Sequence, residues 1–181
     1  MGFISKSILR VAGWKALYTV KEPIDNFIII VAPHTSSWDF VLGRLTMSAL
    51  NLHGKFMIKK EWFRFPFSTL LKWSGGVPVD RKKGSNSIKP IVELFNSSHN
   101  FCLVITPEGT RKYTKNWKRG YYFIANAAKV PIVLSYIDYK EKVCCISDVL
   151  HTSGNYEEDF KIIEDFYRGR TARHPERYNL S

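Results

Sequence analysis

Two runs of apolar residues constrain the fold of this 181-residue chain more than any other feature. The first run spans Phe27–Val31 (FIIIV), and the second spans Phe101–Ile105 (FCLVI). Neither run alternates with polar residues, so both are typical of strands that are buried on both faces, as in a parallel sheet. In such sheets ligands bind beyond the carboxyl ends of the strands. We therefore expect the functional residues in the loops that follow the two runs.

Strands and helices alternate along the rest of the chain. Residue patterning predicts strands at 27–32, 55–59, 77–79, 101–105, 130–136 and 143–147, and helices at about 37–50, 85–98, 119–128 and 156–168. This order predicts an α/β fold, a single domain over 1–181 with a mixed, largely parallel sheet flanked by helices. We divide it into an N-terminal helix within 1–20, a motif-bearing core at 27–137, and a C-terminal helix and tail at 150–181. The Arg-rich end beyond 168 is expected to be poorly ordered.

The N-terminal segment has the pattern of an amphipathic helix. Ile4, Ile8 and Val11 share one helical face, and Lys6 and Arg10 lie roughly opposite. This pattern suits a helix that lies on a membrane surface, and it suits an ordinary surface helix equally well. The cations also interrupt any apolar core of a signal peptide. No stretch of the chain approaches the roughly 20 apolar residues that span a bilayer.

The net charge of +11 is unevenly distributed. Residues 1–130 carry a net charge of +13, whereas residues 131–181 carry −2. A basic field of this kind favours an anionic partner, namely a phosphate substrate, an acidic membrane surface or nucleic acid. The stretch 111–119 holds five cations in nine residues. It fits nucleic acid, anionic headgroups or a solvated loop.

The cysteine pattern argues against two kinds of stabilising site. Cys102, Cys144 and Cys145 are odd in number and form no C-x-x-C pair. A disulfide framework and a thiolate zinc site are therefore both unexpected, and a reducing compartment fits best.

The loop after the first apolar run contains a histidine and an aspartate five residues apart, His34 and Asp39. If His34 lies in the loop and Asp39 in the first helical turn, the carboxylate can reach one imidazole nitrogen and leave the other free as a base. Ser36-x-x-Asp39 is also a capping-box pattern, in which Asp39 would only satisfy a backbone N–H at the helix start. The stretch by itself leaves both interpretations open.

Two further stretches combine glycine with charged residues. In Thr106–Arg111 (TPEGTR) a plain turn explains Pro107 and Gly109. A turn does not explain an arginine close to a glutamate at a strand end. The fork of donors on Arg111 suits a phosphate, and Glu108 could orient it or a substrate hydroxyl. Gly75–Arg81 fits a glycine turn with an edge strand, or a second phosphate contact through Arg81.

Taken together, these stretches resemble the lysophospholipid acyltransferases, the family of 1-acylglycerol-3-phosphate acyltransferases. The family's first motif, H-x-x-x-x-D, is matched by His34 and Asp39. Its second motif, a glycine-led strand that ends in Arg, is matched by Gly75–Arg81, and its third by Thr106–Arg111. The fourth is matched by Val130–Leu134. The chain departs from the family pattern at Pro33, Pro78, Thr106 and Leu134, which concerns the identity of the acceptor and acyl chain rather than the reaction class.

The resemblance implies an O-acyltransferase that moves a fatty acyl group from acyl-CoA or acyl-carrier protein to a hydroxyl of a lysolipid, with 1-acylglycerol-3-phosphate as the family's usual acceptor. His34 would be the general base and Asp39 its partner. Glu108, Gly109, Thr110, Arg111 and Arg81 would bind the substrate. No metal and no cofactor other than the acyl co-substrate is implied.

The expected partners are the lysolipid, the acyl donor and an anionic membrane surface, and no nucleic acid is expected. The expected location is cytoplasmic, with peripheral attachment to the inner face of the cell membrane. Two alternatives stay open. The same His–Asp pair would serve a thioesterase or another hydrolase, and the basic charge would also suit a nucleic-acid-binding module.

Overall fold

The computed structural model describes residues 2–64, 68–69, 71, 75–79 and 88–180. Within these residues the strands are β1 (Lys15–Tyr18), β2 (Phe27–Ala32), β3 (Gly54–Lys59), β4 (Gly76–Val79), β5 (Cys102–Ile105), β6 (Ile132–Asp138) and β7 (Val143–Leu150). The α-helices are α1 (Gly2–Val11), α2 (Ser37–Ala49), α3 (Ile88–Asn96), α4 (Gly120–Ala128) and α5 (Tyr156–Tyr167). Short 3-10 helices lie at Lys60–Trp62 and Pro175–Arg177. The predicted alternation of strands and helices is confirmed for these elements.

The strands of the described chain form one sheet in the order β1-β7-β6-β2-β5-β3-β4. The first apolar run, β2, lies in the middle and pairs in parallel with β5 on one side and β6 on the other. Strands β3 and β4 continue the parallel part. Strand β7 is antiparallel to β6, and β1 is parallel to β7. The predicted mixed, largely parallel sheet is therefore confirmed.

The two faces of β2 explain why its sequence is apolar throughout. Ile28 and Ile30 pack in a cluster with side chains of three helices, namely Phe95, Tyr121 and Ile163. Phe27 and Ile29 point to the opposite face, where their cluster includes Met47 of α2. Because helices cover both faces, every β2 side chain except Val31 is fully buried.

Two sequence-based predictions are corrected. The helix predicted within 1–20 ends at Val11, and after a turn in which Gly13 has a φ of +76° the chain forms β1. The pattern of β1 gave no strand signal because most of its residues are exposed at the sheet edge, so its pairing with β7 decides its conformation. The segment beyond residue 168 is ordered by tertiary contacts rather than by its own sequence. The His174 N–H donates to Thr35 Oγ1 at 3.2 Å.

The predicted start of the third helix, at residue 85, lies outside the described residues, as does Arg81. None of the described helices combines the length and the hydrophobicity that crossing a membrane would require.

The parallel arrangement places three loops side by side at one edge of the sheet. These loops follow β2, β5 and β6, which are neighbours in the sheet, and begin at residues 33, 106 and 139. The carboxyl ends of parallel strands meet at the same edge, so side chains far apart in sequence come together there.

Candidate active site

His34 and Asp39 meet at the start of α2. Their closest atoms, His34 Nδ1 and Asp39 Oδ2, are 3.2 Å apart, and the His34 side chain is 18% exposed whereas that of Asp39 is 2% exposed. Asp39 Oδ2 also accepts hydrogen bonds from the backbone N–H groups of Thr35 and Ser36, each at 2.8 Å. Ser36 caps the helix by accepting from the Trp38 N–H at 3.2 Å. The capping box and the His–Asp pair therefore exist together.

Asp39 is a buried carboxylate that its surroundings keep ionised. Burial by itself would raise the pKa of Asp39, but hydrogen bonds from His34, Tyr139 and the Ser36 N–H lower that pKa below its ordinary value. A carboxylate beside Nδ1 favours the tautomer with the proton on Nδ1. The Nε2 nitrogen of His34 is then free to accept a proton.

Glu108 lies behind the histidine loop. Its Oε1 accepts a hydrogen bond from the backbone N–H of His34 at 2.8 Å, and the residue is only 4% exposed. Burial raises the pKa of Glu108 to about 7, although the His34 N–H and side chain oppose this shift. Its other oxygen, Oε2, is buried and has no hydrogen-bond partner among the described residues. The contact of Glu108 is thus with the backbone that carries His34.

The stretch Thr106–Arg111 forms the predicted turn. The Gly109 N–H donates to the Thr106 carbonyl at 3.0 Å. Gly109 has a φ of +67°, which glycine adopts readily and other residues rarely do. A Cβ at this position would lie 3.1 Å from Lys118 Cγ, so the lysine stem passes over the turn. Thr110 Oγ1 accepts from the Lys112 N–H at 3.2 Å, which tightens the loop further.

Arg111 joins this turn to the histidine loop. Its guanidinium donates to Ser37 Oγ at the first turn of α2, and the side chain is exposed. A cation therefore lies at the first turn of α2, three positions along the chain from His34, with donors left for a ligand. No group of three or more His, Cys, Asp or Glu side chains that could hold a metal ion occurs among the residues that the structure covers.

A groove of about 210 Å³ opens between α1 and α2, and neither His34 nor Asp39 lines it. Its walls are largely apolar and include Ile8, Ala12, Trp38, Val41 and Leu45. Tyr139 also lines the groove, and its hydroxyl donates to Asp39 Oδ1 at 2.5 Å. Tyr139 thus belongs both to the groove and to the surroundings of the His34–Asp39 pair.

Sequence reasoning missed Tyr139 and the Ser37 contact of Arg111. Tyr139 directly follows β6, and β6 adjoins β2 in the sheet. The rule that ligands gather at the carboxyl ends of parallel strands could have directed attention to Tyr139. No spacing pattern marks it, since it lies 100 residues from Asp39.

The raised pKa of Glu108 predicts that this residue makes the stability of the protein depend on pH. The Glu108→Gln variant should lack that dependence. Folding raises this pKa from 4.5 to about 7, so the folded protein binds more protons than the unfolded chain between these values. The protonated Glu108 carboxyl contributes fully to the free energy of unfolding below the unfolded pKa of 4.5. That contribution is lost as pH rises through about 7, and the total change is roughly 3 kcal/mol. Urea unfolding from pH 5 to pH 8 should show the Glu108→Gln protein gaining stability relative to wild type as pH rises.

The matched control for this measurement is Glu141→Gln, because Glu141 is an exposed glutamate in the turn after β6. This variant should follow the wild-type curve at every pH. Parallel curves for Glu108→Gln and wild type would contradict the assignment of a buried, proton-binding carboxyl.

Comparisons with known proteins give a family from the sequence and a related fold from the structure. The sequence model of the acyltransferase family matches residues 15–137, which is most of the chain. The fold is similar to the crystal structure of PlsC, the 1-acyl-sn-glycerophosphate (LPA) acyltransferase from Thermotoga maritima, with a TM-score of 0.64 and 16% sequence identity. The match covers 91% of this chain and 74% of that one. A comparison with curated proteins gives no significant match. The family match over more than half of its length identifies this chain as a member of the acyltransferase family.

Proposed function

We propose that this acyltransferase moves a fatty acyl group from acyl-CoA or acyl-carrier protein to a hydroxyl of a lysolipid, with 1-acylglycerol-3-phosphate as the favoured acceptor. The observation that carries the proposal is the 3.2 Å contact between His34 Nδ1 and Asp39 Oδ2 at the carboxyl end of β2. His34 is partly exposed and Asp39 is not, so the histidine is the member of the pair that can meet a substrate.

The reaction needs one general base. His34 Nε2 takes the proton of the acceptor hydroxyl while the oxygen of that hydroxyl attacks the thioester carbonyl. The tetrahedral intermediate then collapses, the carbon–sulfur bond breaks, and the leaving thiolate receives the proton from the imidazolium. Asp39 stabilises that imidazolium and holds its orientation. No acyl-enzyme is formed, and the acyl donor is the only co-substrate we propose.

The acceptor's phosphate is proposed to bind at Arg111. The side chain is exposed and lies beside the histidine loop through its contact with Ser37. Its planar fork of donors suits phosphate oxygens. The loop formed by Gly109 and Thr110 would shape the same pocket. Arg81, which lies outside the described residues, remains a proposed second phosphate contact. PlsC acts on 1-acyl-sn-glycerophosphate, which supports a phosphate-bearing acceptor here.

The groove between α1 and α2 is proposed to hold the acyl chain. It is largely apolar, and Tyr139 connects its wall to the catalytic pair. An acyl chain lying there would contact Tyr139, the residue that donates to Asp39. Transfer of each methylene of the chain from water into such a groove contributes about 0.8 kcal/mol.

The exposed face of α1 is proposed to rest on the membrane. Leu9 belongs to a buried cluster with Leu42 and Ala49 of α2, whereas Phe3, Ile4 and Val11 of the same helix are exposed to solvent. Val11 is 90% exposed. Exposed apolar residues with nearby cations, here Lys6 and Arg10, suit an anionic bilayer surface. We accordingly propose peripheral attachment to the inner face of the cell membrane.

Replacement of the base tests the mechanism. His34→Ala should lower the rate of acyl transfer at least a hundredfold, because general base catalysis typically contributes ~10²–10⁴-fold. The assay follows the acylated product by mass spectrometry with acyl-CoA and acyl-carrier protein as donors, and circular dichroism verifies folding. Full activity in this variant would end the general-base assignment. Thiol release at the same rate without any acceptor would indicate a thioesterase instead.

The phosphate role of Arg111 has its own test. Arg111→Ala should raise the KM for a phosphate-bearing lysolipid about tenfold or more, the range of a lost charge-assisted hydrogen bond. The KM for a neutral lysolipid should change little. Lys115→Ala is the matched control, since Lys115 is an exposed cation of the same loop. An equal effect of Arg111→Ala on both acceptors would remove the phosphate role.

The membrane surface is tested with vesicles that contain an anionic phospholipid. Replacement of both Ile4 and Val11 by Asp should weaken co-sedimentation more than about tenfold, since two apolar side chains lose their burial in the bilayer. Ile162→Asp changes an isoleucine of similar exposure, 53%, on α5 and should leave binding unchanged. Equal binding of all three proteins would contradict the assignment of α1.

A further inference from the structure

We propose that Tyr139 is a positioning residue for the reaction, and that its hydroxyl holds the carboxylate of Asp39 in the orientation that serves His34. The kinetic part of this inference rests on the proposed function. The structural part concerns only the arrangement of the three side chains.

The two oxygens of Asp39 have different surroundings. Oδ2 accepts from two backbone N–H groups and lies 3.2 Å from His34 Nδ1. Oδ1 accepts a hydrogen bond from the Tyr139 hydroxyl at 2.5 Å. The helix cap therefore holds one edge of the carboxylate and Tyr139 holds the other. Together they prevent rotation of the group about its Cβ–Cγ bond.

The hydroxyl of Tyr139 acts as the donor in this contact. Burial raises the pKa of Tyr139 above its ordinary value, and the neighbouring Asp39 raises it further. The phenol therefore keeps its proton, while Asp39 stays ionised. Hydrogen bonds between a neutral donor and a charged acceptor are stronger than those between neutral groups.

Three contacts from two other segments of the chain hold Tyr139 in place. Its backbone N–H donates to the Thr171 carbonyl at 2.9 Å. Its ring packs edge-on against Trp14, with centroids 5.1 Å apart. The guanidinium of Arg173 lies 6.0 Å from the same ring. The hydroxyl is therefore fixed before any substrate binds, which is what orienting a catalytic pair requires.

Loss of the hydroxyl should affect the chemical step rather than binding. With Oδ1 released, the carboxylate can turn, and Nδ1 of His34 loses its fixed acceptor. The tautomer with the proton on Nε2 then becomes more populated, and that form cannot accept a proton from the acceptor hydroxyl. The ring of Tyr139 lines the groove, so a phenylalanine keeps the wall intact.

Tyr139→Phe should lower kcat about tenfold or more, the expected loss for a hydrogen bond to a charged group. The KM values for donor and acceptor should stay within about twofold. Tyr136→Phe is the matched control, because Tyr136 lies on β6 with its ring under Arg170 and loses the same hydroxyl. This control should keep wild-type kcat. A wild-type kcat in Tyr139→Phe, or a rise of KM alone, would overturn the inference.

A second measurement does not depend on turnover. Nitrogen-15 NMR of the imidazoles reports which ring nitrogen carries the proton, and His34→Gln identifies the His34 signals. The wild-type signals should show a proton on Nδ1, and Tyr139→Phe should show increased protonation of Nε2. Identical His34 signals in the two proteins would overturn the inference even if no acyl transfer were detected. Failure of the proposed function would appear separately, as a His34→Ala protein with full activity.

Discussion

The buried negative charge of Asp39 is the constraint on which the rest of the site depends. A carboxylate that is 2% exposed costs much free energy unless donors surround it. The backbone N–H groups of Thr35 and Ser36 satisfy it from the helix cap, and His34 and Tyr139 satisfy it from either side. The start of α2, the orientation of His34 and the packing of the β6 strand end therefore all depend on this one carboxylate. Any change that frees this carboxylate affects all of them.

The histidine loop is also held between two carboxyl groups whose pKa values shift in opposite directions. Asp39 receives several hydrogen bonds, so its pKa falls despite burial. Glu108 receives one on Oε1, and Oε2 has no partner within the described part of the chain, so burial dominates and the pKa of Glu108 rises to about 7. Below about pH 7, two full negative charges beside one imidazole are thereby avoided. The negative charge stays on the side of His34 where Nδ1 needs an acceptor.

Much of this arrangement could be predicted from the sequence, because its parts are local. The apolar run of β2, the capping pattern of Ser36 and the turn before Arg111 each carry their own signal over a few residues. Tyr139 carries none, since its contact with Asp39 exists only because β6 lies next to β2. Strand β1 is exposed at the sheet edge, and pairing with β7 rather than apolar patterning makes it a strand. The orientation of Glu108 towards the loop backbone likewise depends on strand order.

The contact between the His174 N–H and Thr35 Oγ1 spans 139 positions of the chain, and Tyr139 reaches Asp39 across 100. Contacts of such long range form late, since the entropy of closing large loops opposes them. A chain growing on the ribosome can build the central strand and cap the following helix early. It cannot complete the surroundings of His34 and Asp39 until the segments after β6 and α5 have emerged. The arrangement of this site therefore depends on nearly the full length of the chain.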